Sequence, residues 1–143
     1  MKDNLFIDTN IIVYAFDESE NKKRAIAKKL FEQATKGEIK AIISNQILAE
    51  LYSVLTKKME TPLKTKEAQI IINGIIDSIH WKKTSYTEKT ITRAIETSIK
   101  HKTPFWDAII AETMLENETY KIITENIKDF EKIPELETIN PFK

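Results

Sequence analysis

The chain has 143 residues, 41% hydrophobic and 31% charged, which suits one globular domain with its own core and excludes a disordered or fibrous chain. Its 22 Lys and Arg balance 22 Asp and Glu, so attraction to a polyanion has to be local, and the lack of cysteine excludes disulfides, thiolate metal sites and a cysteine nucleophile. The polar start Met1-Lys2-Asp3-Asn4 and the polar residues interrupting Ile70 to Ile79 provide neither a leader nor a membrane span, so a cytoplasmic protein with no membrane partner is expected.

Only two glycines and four prolines punctuate the chain and no linker divides it, so residues 1–143 are expected to form a single domain. The apolar run Leu5-Phe6-Ile7, ending at Asp8, predicts a short buried strand. Asn10 is a natural cap for the apolar segment Ile11-Ile12-Val13. Asn21 to Thr35 follows with Ala25, Ile26, Leu30 and Phe31 on a helical stripe, and Gly37 is placed to end that helix. Ala41-Ile42-Ile43 predicts the second strand. Helical patterns then run from Asn45 to Lys58, Lys64 to Ile79 and Thr87 to His101, with a short strand near Trp81. Thr103 and Pro104 form an Ncap and N1 pair for a helix reaching about Glu116. Lys121 to Thr124 predicts another strand and Thr138-Ile139 a last, weak one. Strands alternating with helices predict an α/β fold, a central parallel sheet sandwiched by helices in three layers. In such sheets, sites form at the carboxyl ends of the strands.

Three carboxylates stand where folding alone would not put them. Asp8 should emerge at the end of a central strand, where it reads equally as a turn or cap residue and as a ligand facing the crevice. Glu50 lies about a quarter turn from the stripe Ile47, Leu48, Leu51, Val54 and Leu55, so it borders the core. If Ser44 caps that helix, Glu50 sits in its second turn, near the sheet edge that Asp8 occupies. Asp107 shares a face with Ile110, Ala111 and Met114 at the fourth helical position, beyond the reach of a cap. An unpaired carboxylate there costs several kcal/mol if buried, more than the roughly 0.3–1 kcal/mol that the helix dipole returns. A metal ion would account for it. After the strand at Ile122, Thr124-Glu125-Asn126-Ile127-Lys128-Asp129-Phe130 repeats the pattern of an apolar strand running into an acidic turn. Glu125, Asn126 and Asp129 are the available ligands there.

Carboxylate oxygens suit a hard cation such as Mg²⁺ or Mn²⁺, and neither His80 nor His101 has a partner at zinc-ligand spacing. Basic pairs, among them Lys22-Lys23-Arg24 and Lys57-Lys58, could line an RNA path, although lysines on helices usually form a solvated face. Trp81 and Trp106 are expected to pack in the core.

Taken together, Asp8-Thr9-Asn10 after the first strand, Ser44 with Glu50 in Ile-Leu-Ala-Glu-Leu-Tyr, Trp106-Asp107-Ala108, and Thr124-Glu125-Asn126 leading to Asp129-Phe130 resemble a PIN-domain nuclease of the VapC toxin type. The resemblance spans nearly the whole chain. It implies a metal-dependent endoribonuclease of toxin–antitoxin pairs that leaves a 5′-phosphate and a 3′-hydroxyl. By position, Asp8, Glu50 and Asp107 would form the acidic core of a Mg²⁺ or Mn²⁺ site. Asn126 stands where the family often has an aspartate, so Asp129 is expected to supply the fourth carboxylate, with Glu125 the weaker candidate. Thr9, Asn10, Ser44 and Thr124 match polar positions that orient ligands or water. The resemblance further implies a homodimer, an RNA substrate and an inhibiting cognate antitoxin. A haloacid-dehalogenase-type phosphatase would need an aspartate at position 10, where this chain has Asn10. The rival from another class is a catalytically silent PIN-like module that binds RNA or protein.

Overall fold

The computed structural model describes residues 3–143; Met1 and Lys2 of the polar start lie outside the described residues. Five strands form one parallel sheet: β1 (Asn4–Ile7), β2 (Lys40–Ser44), β3 (Trp81–Thr84), β4 (Lys121–Ile123) and β5 (Glu137–Ile139), in spatial order β3-β2-β1-β4-β5. The order reverses at β1, so the switch point, where such sheets bind ligands, lies between the carboxyl ends of β1 and β4. Parallel strands need crossovers, and helices supply them. They are α1 (Thr9–Phe16), α2 (Asn21–Thr35), α3 (Asn45–Ser53), α4 (Thr65–Asp77), α5 (Glu88–His101), α6 (Phe105–Glu116) and the four-residue α7 (Ile127–Phe130). This is the expected α/β architecture. Among the described residues, no helix is long and apolar enough to cross a membrane.

The main core joins both faces of β1, β2 and β4 to the helices through Phe6, Ile42, Ile43 and Ile122 of the strands, Ile11, Ile47 and Leu51 of α1 and α3, and Ile110 and Met114 of α6. A smaller cluster, Ala94, Ala108 and Ile109, seals α5 against α6. α6 is therefore buried on most of its circumference, from Ala108 to Ala111 and at Thr113 and Met114, and the single apolar face predicted for it is too narrow a description.

Several boundaries differ from expectation for local reasons. Asp8, not Asn10, caps α1: its carboxylate accepts from the Thr9 amide at 2.7 Å, and the helix starts one residue after the strand. α2 buries Ala27 and Ala34 with Leu30 and Phe31 beside them, while Ile26 is exposed, so the buried stripe is shifted from the predicted one. Gly37 does end α2 in a left-handed turn at φ 76°, donating to Ala34 O. The helix expected to reach Lys58 stops at Ser53 and passes into a π turn, Val54–Lys58. Pro104 is the cap of α6 rather than its first residue. Trp81 is buried as predicted, but Trp106 is 59% exposed. It lies in the first turn of α6, next to Asp107, with its ring left open to solvent.

Candidate functional site

Each acidic residue reaches the site by a separate local device. Asp8 follows β1 directly, its amide donating to Ile123 O of β4 at 3.1 Å, so it stands astride the switch point. Ser44 ends β2 and caps α3, accepting from the Ile47 amide at 3.3 Å. That cap sets Glu50 in the second turn, facing the same sheet edge. Asp107 is the third residue of α6, where an acid commonly closes a capping box on the cap amide. Proline has no amide hydrogen, so Pro104 leaves Asp107 free of that duty.

Asp8, Glu50, Asp107 and Asn126 line one cavity of about 450 Å³, with Thr9, Asn10 and Tyr14 also on its wall. The carboxylates are held by neutral donors. Thr124 Oγ1 donates to Asp8 Oδ2 at 2.7 Å across the β1–β4 junction, and Asn10 Nδ2 lies 3.4 Å from the same oxygen. Thr9 Oγ1 donates to Glu50 Oε2 at 2.9 Å, and Gln46 Nε2 donates to Glu50 Oε1 at 2.9 Å. Asn126 Nδ2 donates to Asp107 Oδ2 at 3.3 Å, while its own amide donates to Thr124 Oγ1. Among the described residues, no three Asp, Glu or His side chains gather closely enough to cage a metal as they stand.

The electrostatics are those of a site short of positive charge. Burial raises the Asp8 carboxyl above its ordinary range and Glu50 adds repulsion, against the hydrogen bonds from Thr124, Thr9 and Asn10. Asp107 is pushed up from 3.8 to about 6, first by burial, then by the charges of Asp8 and Asp129, with Asn126 opposing. The groups acting most strongly on these two carboxyls are acidic or neutral.

The fourth-position candidates part company. Asn126 lines the cavity, while Asp129 is not on its wall; the Asp129 carboxylate acts on Asp107 by charge and lies 3.7 Å from Lys132 Nζ. Glu125 is committed elsewhere, paired with Lys23 Nζ at 2.5 Å and accepting from Tyr14 Oη at 2.6 Å. Burial opposes ionisation of Glu125, but those two bonds outweigh it and hold its pKa below the usual range.

Gln46 escaped the sequence reading. It is buried, and its amide spends both hydrogens on Glu50 and on the carbonyl of Trp106 at 3.1 Å, leaving its own Oε1 without a partner. Its signal was available: it lies four residues before Glu50, one helical turn along the same face.

A family model described as the PIN domain matches residues 5–136. No curated protein matches the chain. Among solved structures, VapBC2 from Rickettsia felis, bound to a DNA fragment from its promoter, is 25% identical, with 96% of this chain and 98% of that chain covered at a TM-score of 0.67. VapC20 from Mycobacterium tuberculosis, a Sarcin-Ricin loop cleaving toxin, is 16% identical over 89% of this chain and 93% of that one, at 0.69. DNA-bound VapBC from Salmonella typhimurium is 20% identical over 99% of both chains, at 0.66. The last two speak for the fold alone. Because the family match runs from β1 to the turn before β5 and takes in the whole acidic crevice, the chain belongs to the PIN-domain family.

Proposed function

We propose that this protein is a Mg²⁺- or Mn²⁺-dependent endoribonuclease and the toxin of a VapBC-type pair, acting in the cytoplasm as a homodimer held in check by a cognate antitoxin. The observation that carries the reading is the meeting of Asp8, Glu50 and Asp107 on one cavity wall at the switch point, with two of the three carboxyls reluctant to ionise. The similarity to solved toxin–antitoxin and VapBC complexes supports the antitoxin partner.

The donor set fits a hard divalent cation: carboxylate oxygens, no imidazole, no thiolate, and an excess of negative charge that only a cation would relieve. Asp8, Glu50 and Asp107 would hold it, with Asp129 as the fourth carboxylate, acting through its charge on Asp107. Bound there, the cation supplies an activated water for attack on the phosphodiester and offsets charge on the scissile phosphate. Thr124 and Thr9 fix the orientation of Asp8 and Glu50, Gln46 fixes the second oxygen of Glu50, and Asn126 turns Asp107 toward the cavity. Preorganised ligands lose less entropy on binding.

The test is cleavage of a panel of RNAs with and without Mg²⁺ or Mn²⁺, with Asp129→Asn and Asn126→Ala compared for metal affinity. Metal-dependent cleavage is expected, with the greater loss of affinity in Asp129→Asn; a greater loss in Asn126→Ala would move the fourth position to Asn126. The second reading is a silent PIN-like module that binds RNA or protein. The amide at Asn126 favours it, and metal-independent binding of RNA without cleavage would establish it.

A further inference from the structure

We infer that the groove beside the acidic cavity seats an unpaired RNA base next to the scissile phosphate, with Trp106 as the stacking face and Lys58 as the backbone contact. This deepens the ribonuclease reading above and rests on it.

Trp106 adjoins Asp107 yet is 59% exposed, whereas Trp81 is fully buried. Core packing does not account for so large an exposed aromatic. Its place is nonetheless fixed. Phe105 meets the ring edge-on at 5.6 Å between centroids, and Gln46 holds its carbonyl with the same amide that holds Glu50. The backbone that carries the ring is thereby tied to Glu50.

Trp106 and Tyr86 flank a groove of about 530 Å³, on the scale of a small-ligand site. Glu50, Val54 and Lys58 line both this groove and the acidic cavity, so the two spaces adjoin. Lys58 ends the π turn Val54–Lys58, a distortion of the regular helix that frequently marks functional sites. It is exposed and makes no ion pair with any described residue, which leaves it a cation at the junction of the two spaces.

An aromatic face one residue from a phosphodiester site, with one unpaired lysine between, matches an unstacked nucleotide. A helix of a protein partner would ask for a row of large aliphatic pockets at helical spacing, whereas the aliphatic part of this wall is only Ala49 and Val54, set among Gln46, Glu50, Ser53 and Lys58 beside the two aromatic rings. In a duplex both faces of a base are covered by its stacked neighbours, so the base that reaches the Trp106 ring has to be unstacked first.

The experiment uses the full-length protein and a short single-stranded RNA of mixed sequence, with Mg²⁺ or Mn²⁺. Trp106→Ala should raise KM roughly 5- to 150-fold with kcat little changed, and Trp106→Phe should recover most of the loss. Lys58→Gln should reduce the slope of log affinity against log salt by about 0.7. In an Asp8→Asn background, RNA should quench tryptophan fluorescence, and the quench should vanish when Trp106→Phe leaves Trp81 alone. Cleavage by wild type with KM indifferent to Trp106→Ala would overturn the base seat and leave the ribonuclease reading standing. So would unaltered RNA kinetics combined with weaker inhibition by an antitoxin protein, which would make the groove a protein-docking face. No cleavage of any RNA by wild type would overturn both.

Discussion

Replacing Asp107 with asparagine should stabilise the metal-free protein at neutral pH and leave it unchanged in acid. The Asp107 carboxyl is raised from 3.8 to about 6 by burial and by Asp8 and Asp129, so the folded state holds a proton that the unfolded chain releases. Folding stability therefore falls as pH rises from about 4 to about 6, and the loss is complete above that window. At about 1.4 kcal/mol per pH unit the ceiling is about 3 kcal/mol, and because Asp107 is only half-buried, solvent screening reduces it to about 1–2 kcal/mol. Asparagine keeps an oxygen for the Asn126 amide and removes the charge. Urea denaturation in EDTA should give a variant more stable than wild type by that amount at pH 7 and by nothing measurable at pH 4. Saturating Mg²⁺ should reverse the order, because the cation stabilises wild type by mass action. Equal destabilisation of the variant at both pH values would refute the reasoning, since it would make Asp107 a structural group and not a strained ligand.

Other expectations concern the supports of the site and the turn after α2. Thr124→Val removes the donor to Asp8 Oδ2 without changing shape; it should raise the Asp8 pKa further and cost about 1–3 kcal/mol at pH 7, less at pH 4, by denaturation at both. Gln46→Ala releases Glu50 and the Trp106 carbonyl together, and metal affinity measured by calorimetry should fall roughly 10- to 100-fold. Gly37→Ala forces a side chain into φ 76° and toward His80 Nδ1 at 2.5 Å, so thermal unfolding should report a loss of about 1–2 kcal/mol. Adding His80→Ala should relieve the crowding but not the backbone cost.

The parts of the site legible in the sequence were those set by strand ends. Asp8 and Thr124 follow apolar runs that had to be buried strands, and a parallel sheet brings the ends of β1 and β4 together whatever the helices do. Ser44 was legible as a cap because it separates a strand from a helical stripe. What lay outside the pattern depended on tertiary context. The π turn at Val54–Lys58 is invisible to periodicity, since Val54 and Leu55 continue the stripe of α3 on either geometry. Trp106 read as core because it neighbours apolar residues, but exposure is decided by whether another element covers the start of α6, and none does. Asn126 and Asp129 both follow β4, and only the path of the chain into α7 decides that the first lines the cavity and the second does not.

The most direct measurement of the central claim is Mn²⁺ binding to full-length wild type and Asp8→Asn by calorimetry near pH 6, in buffers of different ionisation enthalpy. Wild type should bind with net release of protons, as the carboxyls of Asp8 and Asp107 give theirs up to the cation, and Asp8→Asn should lose at least about tenfold in affinity. Equal affinity in the two proteins, or binding without proton release, would contradict a divalent-cation site built on Asp8, Glu50 and Asp107.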